Sequence, residues 1–163
     1  MKTKFFAPIF FIFYLIEPSF AQESALSQVY RDGDLLSVRV GKNMLTFETA
    51  VSNAAKQKGL SKRIVIPQDG MIFLFEKKQR LSFWMRDMLF PIDIVWIGEG
   101  KVLSFHENVP PEPGISLSEL TRYYSPPNTD TVLELKAGDV LKLNIKKGDK
   151  FTIREKLEGE NDK

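Results

Sequence analysis

The segment FWMRDMLFPIDIVWI, residues 83–97, decides how the middle of this chain folds. It contains both tryptophans of the sequence, and Arg86, Asp87 and Asp93 stand there among mostly apolar neighbours. An ion that leaves water loses its hydration, so a buried charge needs a partner of opposite charge or a set of hydrogen bonds. The segment therefore predicts that its three charged side chains either pair with one another or line a cleft.

Asp93 lies on a strand predicted for residues 92–97, where the alternation of side chains gives it apolar company on its own face. One interpretation is a buried structural carboxylate that accepts hydrogen bonds from backbone N–H groups or from an arginine. The other is a ligand acceptor or a general base. In both cases we expect Asp93 to pair with Arg63 or Arg86, because a guanidinium group binds a carboxylate through two parallel hydrogen bonds.

Trp84 and Arg86 share one strand face by the same alternation, with Phe83 and Met85 on the opposite, core-facing side. Trp84 is either a core aromatic side chain or a stacking platform for a sugar ring, beside an arginine that hydrogen-bonds hydroxyl or carboxylate groups. Both interpretations stay open at this point. Trp96 has isoleucine on its own face, and this pattern predicts a core position.

Outside this segment the chain consists of short apolar runs separated by turn-forming residues. Two short helices are expected, one capped by Ser52 and ended by Gly59, the other beginning near Gly138. Helical segments of crossover length are missing between the runs, so a βαβ arrangement is not expected. The predicted fold is mainly β (β-rich α+β), a compact antiparallel sandwich or barrel-like domain with one or two short helices. The predicted strands include residues 71–75, 81–85, 92–97, 101–109, 131–135 and 151–153, with two more between residues 35 and 51.

The first 21 residues have the features of a secretory signal peptide. Lys2 and Lys4 precede an apolar run at residues 5–16, and Ser19 and Ala21 provide the small residues of a cleavage site. That run is short for a bilayer span, which needs about 20 residues, although an uncleaved anchor helix stays an alternative. We expect an exported protein, periplasmic or secreted, with no stable membrane span after cleavage near Ala21. The expected organisation is a signal peptide at 1–21, a flexible leader at 22–33, a single β-rich domain at 34–155 and a disordered tail at 156–163.

The composition excludes several kinds of site. The chain has no cysteine and one histidine, His106, which excludes thiol nucleophiles, cysteine-type zinc sites and multi-histidine metal sites. Calcium bound by carboxylates stays possible in principle at Asp32-Gly33-Asp34, but the EF-hand spacing is absent and an exposed turn is favoured there. No metal or cofactor is expected, and His106 itself is predicted to face solvent. The formal charge of +2 falls to +1 when residues 1–21 are removed, which argues against nucleic acid as a partner. No feature of the sequence indicates the oligomeric state.

An ordered series of short motifs spans most of the chain. They are Gly59-Leu60, Arg63, Gly70–Phe75 (GMIFLF), Phe83–Arg86 (FWMR), Pro91–Ile94 (PIDI), Val132–Leu135 (VLEL), Gly138 and Gly148-Asp149. From about Val38 to Ile153 the chain resembles domain of unknown function family 192, also called uncharacterised protein family 0127. The resemblance implies a compact β-rich fold with a small helical part, often exported, and it implies no settled activity.

Two positions depart from the family pattern. The family usually has Gly-Leu-Met-x-Arg where this chain has Ser61 after Gly-Leu, and it usually has Asn-Thr where this chain has Asp87 and Met88. If the Asn-Thr pair binds a ligand, Asp87 alters the charge of the site and Met88 removes a hydroxyl group.

The sequence thus favours a non-enzymatic, exported binding domain for a small polar ligand, either a saccharide or an anionic metabolite. Its cleft is expected near Arg63, Trp84, Arg86, Asp87 and Asp93. One alternative is a hydrolase that uses a carboxylate pair in the same cleft, drawn from Asp87, Asp93, Glu107 and Glu134. Another is an interaction module for envelope proteins that uses the proline-bounded loop at residues 110–128.

Overall fold

The computed structural model describes residue 26 and residues 29–157 of the chain. The predicted signal peptide with its cleavage site, most of the predicted leader and residues 158–163 of the predicted tail lie outside the described residues. In the part that is described, no helix is both long enough and apolar enough to cross a membrane.

Over the described residues the chain forms nine strands and two short helices, which confirms the predicted mainly β fold class. The strands are β1 (Leu35–Val40), β2 (Asn43–Ala50), β3 (Gly70–Gln79), β4 (Ser82–Phe83), β5 (Ile92–Gly98), β6 (Lys101–Val109), β7 (Tyr123–Tyr124), β8 (Thr129–Lys136) and β9 (Phe151–Leu157). The helices are α1 (Asn53–Lys58) and α2 (Asp139–Lys142).

Seven strands form one sheet in the order β6-β5-β8-β3-β2-β1-β9, and β4 pairs separately with β7. The two edges of the large sheet meet at one end. The N–H of Val102 donates to the C=O of Asp149 at 2.9 Å, and the N–H of Phe151 donates to the C=O of Gly100 at 2.8 Å. These bonds join the start of β6 to the start of β9, so the sheet closes there and is barrel-like.

The pairing of β2 with β3 is parallel, whereas the other neighbours in the large sheet are antiparallel. The expectation that no βαβ unit occurs is therefore wrong at this pair. A parallel connection needs a crossover of about a dozen residues, and residues 51–69 supply one with a helix of six residues and a loop. As predicted, the Oγ of Ser52 accepts a hydrogen bond from the N–H of Ala55, and Gly59, at φ +48°, ends the helix.

Side chains on the two faces of the large sheet form two apolar layers. The inner core fills the barrel-like interior and consists of Leu36, Val38, Val40, Leu45, Phe47, Val51, Ile72, Leu74, Val95, Ile97, Val102, Leu133, Leu135, Val140 and Ile145. The outer core lies on the other face and consists of Ala50, Leu60, Met71, Phe73, Leu81, Met85, Met88, Ile92, Ile94, Trp96, Val109 and Val132. Trp96 is fully buried, which confirms its predicted core position. The outer core is covered by the loop after α1 and by the segment around β4, and these two segments build the site described next.

Candidate functional site

Asp93 is completely buried, and within the described part of the chain its hydrogen bonds all come from backbone N–H groups. Its Oδ1 accepts from the N–H of Asn108 at 2.7 Å, and its Oδ2 accepts from the N–H of Val140 at 2.9 Å. The predicted pairing with an arginine is wrong. The carboxylate instead accepts hydrogen bonds from the backbone N–H groups of Asn108 in β6 and of Val140 in α2. The structural interpretation, a carboxylate that satisfies backbone N–H groups, is the correct one.

Asp93 also lies on the wrong face of the sheet for the predicted cleft. Its cross-strand neighbour is Leu135, a residue of the inner core, whereas the flanking Ile92 and Ile94 belong to the outer core. The side chain therefore fastens α2 and β6 to β5 from inside the barrel, and it is not part of a surface site.

Arg63 is held by Glu48. Its Nη1 donates to Oε2 of Glu48 at 2.7 Å, and its Nη2 donates to Oε1, so the contact has the two-point geometry of a strong ion pair. This hydrogen bonding raises the pKa of the Arg63 guanidinium, with a smaller contribution from the negative charge that Glu134 can carry. Arg63 is thus a positive charge beside the site, already neutralised by one carboxylate.

Three of the predicted residues do come together, at a surface hollow of about 520 Å³. We call it the basic hollow because four of its side chains are cationic and one is acidic. It is lined by Gln57, Lys58, Ser61, Lys62, Trp84, Arg86, Asp87, Leu117 and Arg122. The sequence identified Trp84, Arg86 and Asp87, whereas the contributions of α1, of the loop after it and of Arg122 come from distant parts of the chain.

Backbone hydrogen bonds fix the shape of the basic hollow. The N–H of Lys62 donates to the C=O of Asp87 at 2.8 Å, and the Oγ of Ser61 donates to the C=O of Arg86 at 2.8 Å. Lys62 and Asp87 both have positive φ angles, +61° and +55°. Aspartate and asparagine adopt this left-handed conformation more readily than most residues. The substitution of Asp87 for the usual asparagine therefore keeps the backbone geometry and changes the charge, whereas Met88 is buried in the outer core.

Trp84 is half-buried between two concave regions, so it is neither a pure core residue nor a free platform. The guanidinium carbon of Arg122 lies 4.4 Å from the centre of its ring, within the range of a cation–π contact. One face of the indole is therefore covered by a cation, which adds positive charge to the basic hollow.

The second concave region is a small cavity of about 50 Å³ that we call the Glu134 cavity. It is lined by Lys56, Gln57, Lys58, Gly59, Leu60, Ser61, Ser82, Phe83, Trp84, Met88 and Glu134. Four of these residues, Gln57, Lys58, Ser61 and Trp84, also line the basic hollow, so the two regions adjoin.

Glu134 comes from the centre of the sheet, where it pairs with Ile94 on one side and Met71 on the other. It is 6% exposed, and its Oε2 has no hydrogen-bond partner among the described residues. Burial raises the pKa of Glu134 to about 8, and the positive charge of Arg63 opposes this rise. At neutral pH the group is therefore an uncharged carboxylic acid, which can donate one hydrogen bond as well as accept.

Gly59 keeps space open in front of this carboxyl group. A Cβ atom at this position would lie 3.7 Å from Oε2 of Glu134 and 3.4 Å from the ring of Phe73. The glycine that ends α1 thus also forms part of the wall of the Glu134 cavity. The sequence contained a signal for Glu134, a single acidic residue inside the apolar run VLEL, which is the same argument that singled out Asp93.

His106 is partly buried in the outer layer, so the prediction that it faces solvent is wrong. Its Nδ1 accepts a hydrogen bond from Nε1 of Trp96 at 2.9 Å, and its ring meets that of Tyr123 edge-on at 5.3 Å. Burial lowers the pKa of His106. Its role is to satisfy the indole N–H of the buried Trp96.

The four carboxylates considered for a hydrolase do not gather at one place. Asp87 is on the rim of the basic hollow, Asp93 faces the inner core, Glu107 is exposed, and Glu134 is buried in the outer layer. Among the described residues, each of the two concave regions is lined by a single acidic side chain. The two adjoining concave regions thus have one exposed carboxyl group, that of Asp87, and one buried carboxyl group, that of Glu134.

The fold and this site define a small barrel-like β domain with a basic hollow beside a buried carboxyl group, whose Oε2 has no hydrogen-bond partner among the described residues. The chain belongs to the DUF192 family, described as "Uncharacterized ACR", which it matches over residues 36–153. The resemblance seen in the sequence is confirmed.

Two solved structures share this fold. A protein of unknown function from Novosphingobium aromaticivorans DSM 12444 is 30% identical, with a TM-score of 0.63 over 72% of this chain and 84% of that one. A protein from Sinorhizobium meliloti 1021, called a "putative transcription regulator", is 27% identical, with a TM-score of 0.67 over 76% of this chain and 97% of that one. No curated protein sequence matches this chain.

Proposed function

We propose that this protein is an exported, non-enzymatic domain that binds a small organic anion in the basic hollow. The observation that carries the proposal is the charge of the lining. Lys58, Lys62, Arg86 and Arg122 line the hollow with Trp84. Asp87, the one acidic side chain among its described residues, lies 3.8 Å from Nζ of Lys62 and 3.7 Å from Nε of Arg86, so the cationic groups remain in excess. Arginine side chains in particular match the planar geometry of carboxylate and phosphate groups.

An anionic metabolite fits this lining better than a neutral saccharide does. A sugar that stacks on the indole of Trp84 needs a free ring face, and the guanidinium of Arg122 covers one. The same arginine is well placed to bind a carboxylate or phosphate group at the mouth of the hollow. The volume of about 520 Å³ lies within the range of small-molecule sites.

The other two hypotheses have weaker support. A hydrolase that draws on both adjoining concavities would have the exposed Asp87 and the buried Glu134, and Asp87 already lies 3.8 Å from Nζ of Lys62 and 3.7 Å from Nε of Arg86. The loop at residues 110–128 exposes Ile115 and Leu117, which suits an interaction module, yet Leu117 also borders the basic hollow. Regulation of transcription, suggested by the name of the Sinorhizobium meliloti relative, has no support in the overall formal charge of +2 or in the secretory features of residues 1–21.

Calorimetric titration and thermal unfolding of the purified protein test the proposal. Citrate, succinate and glucose 6-phosphate are compared with glucose and glycerol at the same ionic strength. We expect at least one anion to bind and to raise the melting temperature by several degrees, because a ligand that binds only the folded state stabilises it. Glucose and glycerol alone are expected to have no such effect.

Two substitutions connect the binding to the hollow. Arg86→Gln and Arg122→Gln are each expected to weaken anion binding about tenfold, which corresponds to the loss of one charge-assisted hydrogen bond. Lys142→Gln, on the exposed side of α2, is the matched loss of a positive charge elsewhere and is expected to leave binding unchanged. Equal binding by all three variants, or equal binding of glucose and anions, would contradict the proposal.

Export rests on residues 1–21 and is tested separately. In a Gram-negative host the full-length chain is expected in the periplasmic fraction or the medium, with a mass reduced by residues 1–21. A chain of unreduced mass in the cytoplasmic fraction would overturn this part of the proposal.

A further inference from the structure

The Glu134 cavity contains a polar group that lacks a partner. Oε2 of Glu134 is buried without a hydrogen bond among the described residues, although nearly all buried polar atoms in proteins have one. The Glu134 cavity adjoins the basic hollow, because Lys58, Ser61 and Trp84 line both. A ligand held in the basic hollow is therefore adjacent to a free hydrogen-bonding group.

The surroundings of Glu134 decide which chemical group fits there. A cationic group is disfavoured by Lys56 and Lys58 in the lining and by Arg63, whose charge already acts on Glu134. A second anionic group is disfavoured because the remaining walls include apolar side chains, where an ion loses its hydration. An uncharged group that both donates and accepts hydrogen bonds is the complement of an uncharged carboxylic acid.

The size of the Glu134 cavity points the same way. One water needs roughly 10–15 Å³ measured with a water-sized probe, so the cavity of about 50 Å³ has room for a few groups of that size, about a tenth of the space in the basic hollow of about 520 Å³. The bulk of the ligand must then stay in the basic hollow.

From these observations we infer that the Glu134 cavity is a hydroxyl-binding subsite, and that the ligand is a hydroxylated organic anion such as a sugar acid or a polyol phosphate. The inference rests on the proposed function, because the anionic end of this ligand occupies the basic hollow. Glu134 accepts the hydrogen bond of the ligand hydroxyl and donates one to its oxygen. Selection among organic anions is thereby assigned to one side chain.

Two matched ligand pairs test the inference by calorimetric titration. D-gluconate is compared with hexanoate, and glycerol 3-phosphate is compared with propyl phosphate, so that each pair shares its charge and chain length. In at least one pair we expect the hydroxylated anion to bind about tenfold or more tightly than its partner, since a site that loses a hydrogen bond to a buried group discriminates at this level.

Substitutions at Glu134 assign the discrimination to this side chain. Glu134→Leu is expected to abolish the preference while the anion without hydroxyl groups still binds. Glu134→Gln keeps one donor and one acceptor and is expected to retain the preference. Glu107→Gln, at an exposed position of β6, is the control and should match the wild type.

The outcomes separate the two proposals. If Glu134→Leu keeps the full preference for the hydroxylated anion, the hydroxyl subsite is wrong and the basic hollow is unaffected. If no anion binds to the wild type, the proposed function fails and the inference with it. If Glu134→Leu does not fold, Gly59→Ala serves instead, because its Cβ would lie 3.7 Å from Oε2 and narrow the cavity. An unchanged preference in Gly59→Ala would then overturn the subsite.

Discussion

Two buried carboxyl groups lie at nearly adjacent positions of the same sheet, on opposite faces, and their surroundings differ completely. Asp93 in β5 faces the inner core and uses both oxygens to accept backbone N–H groups. Glu134 in β8 faces the outer layer, and its Oε2 has no partner among the described residues. Burial of a charged residue is therefore not by itself a sign of a ligand site. The sign is a buried polar group whose hydrogen bonds the fold leaves unmade.

Among the substitutions considered, the largest loss of stability is expected at Asp93. Asp93→Ala leaves the N–H groups of Asn108 and Val140 without acceptors, at roughly 1–3 kcal/mol each, and the deleted side chain adds a void. We expect the free energy of unfolding to fall by about 5 kcal/mol, measured by urea denaturation. Glu155→Ala, at an exposed position of β9, is the control and should change stability by less than about 0.5 kcal/mol. A loss below about 1 kcal/mol in Asp93→Ala would contradict the structural role assigned to it.

The next effect is the pH dependence that Glu134 imposes. Burial raises the pKa of this group from 4.5 to about 8, so the folded protein keeps a proton that the unfolded chain releases. The free energy of unfolding therefore falls as the pH rises between these two values, by on the order of 4 kcal/mol from about pH 5 to about pH 8. The contribution of Glu134 to the free energy of unfolding is complete below the pKa of the unfolded chain, 4.5, and is lost as the pH rises through the pKa of the folded protein, about 8.

Glu134→Gln replaces the titrating carboxyl group by an amide and therefore removes this pH dependence of stability. We expect a flatter stability curve between about pH 5 and pH 8 and a variant more stable than the wild type at about pH 9. Urea denaturation across the pH range measures both, with Glu107→Gln as the exposed control that keeps the slope. A wild-type protein whose stability does not fall over this interval would show that Glu134 is ionised or paired in the folded state.

A smaller effect is expected from Arg63, the cation that acts on Glu134. Arg63→Met removes the two-point contact with Glu48 and should lower stability by about 1–2 kcal/mol, because the pair is partly exposed and partly screened. It also removes the charge that lowers the pKa of Glu134. The midpoint of the pH–stability curve should then move to higher pH, whereas Arg86→Met should leave it in place. A midpoint that moves to lower pH would contradict the assigned electrostatic contact.

The smallest effect is expected at Gly59. Gly59→Ala puts a side chain at φ +48° and ψ −133°, a backbone conformation that side chains avoid, and brings its Cβ to 3.4 Å from the Phe73 ring, so we expect a loss of about 1 kcal/mol in thermal unfolding. Gly33→Ala is the control for a positive φ angle without contact at the cavity wall, because φ is +86° there and no atom of the described residues lies within 4 Å of the added Cβ. If both variants lose the same stability, contact with the cavity wall contributes nothing.

Local patterns predicted much of the fold. The alternation of residues 92–97 placed Trp96 in the core correctly, and Ser52 and Gly59 marked the ends of α1. The parallel pairing of β2 with β3 was missed because it depends on the path of the loop between them. The spacing of apolar residues within a strand carries no information on that path. For the same reason β9 extends to Leu157, beyond the predicted strand at 151–153, since its length is set by pairing with β1.

The candidate site was predictable only in part. Trp84, Arg86 and Asp87 are close in sequence and were found together, whereas the partners of Asp93 lie 15 and 47 positions away and are backbone atoms, which carry no residue-specific signal. Arg122 reaches Trp84 from a distant loop. Glu134 could have been found, because an acidic residue inside VLEL is as unusual as one inside PIDIVWI.

The different surroundings of the two tryptophans give the protein two intrinsic fluorophores. Trp96 is fully enclosed, with its indole N–H bonded to His106, so its short-wavelength emission should persist until the domain unfolds. Trp84 is half-buried under Arg122 at the boundary of the two concave regions, so its longer-wavelength emission should respond when a solute enters either one. Excitation at the red edge of the absorption band would then follow occupancy, and the blue side of the emission would follow folding, in a single unlabelled sample.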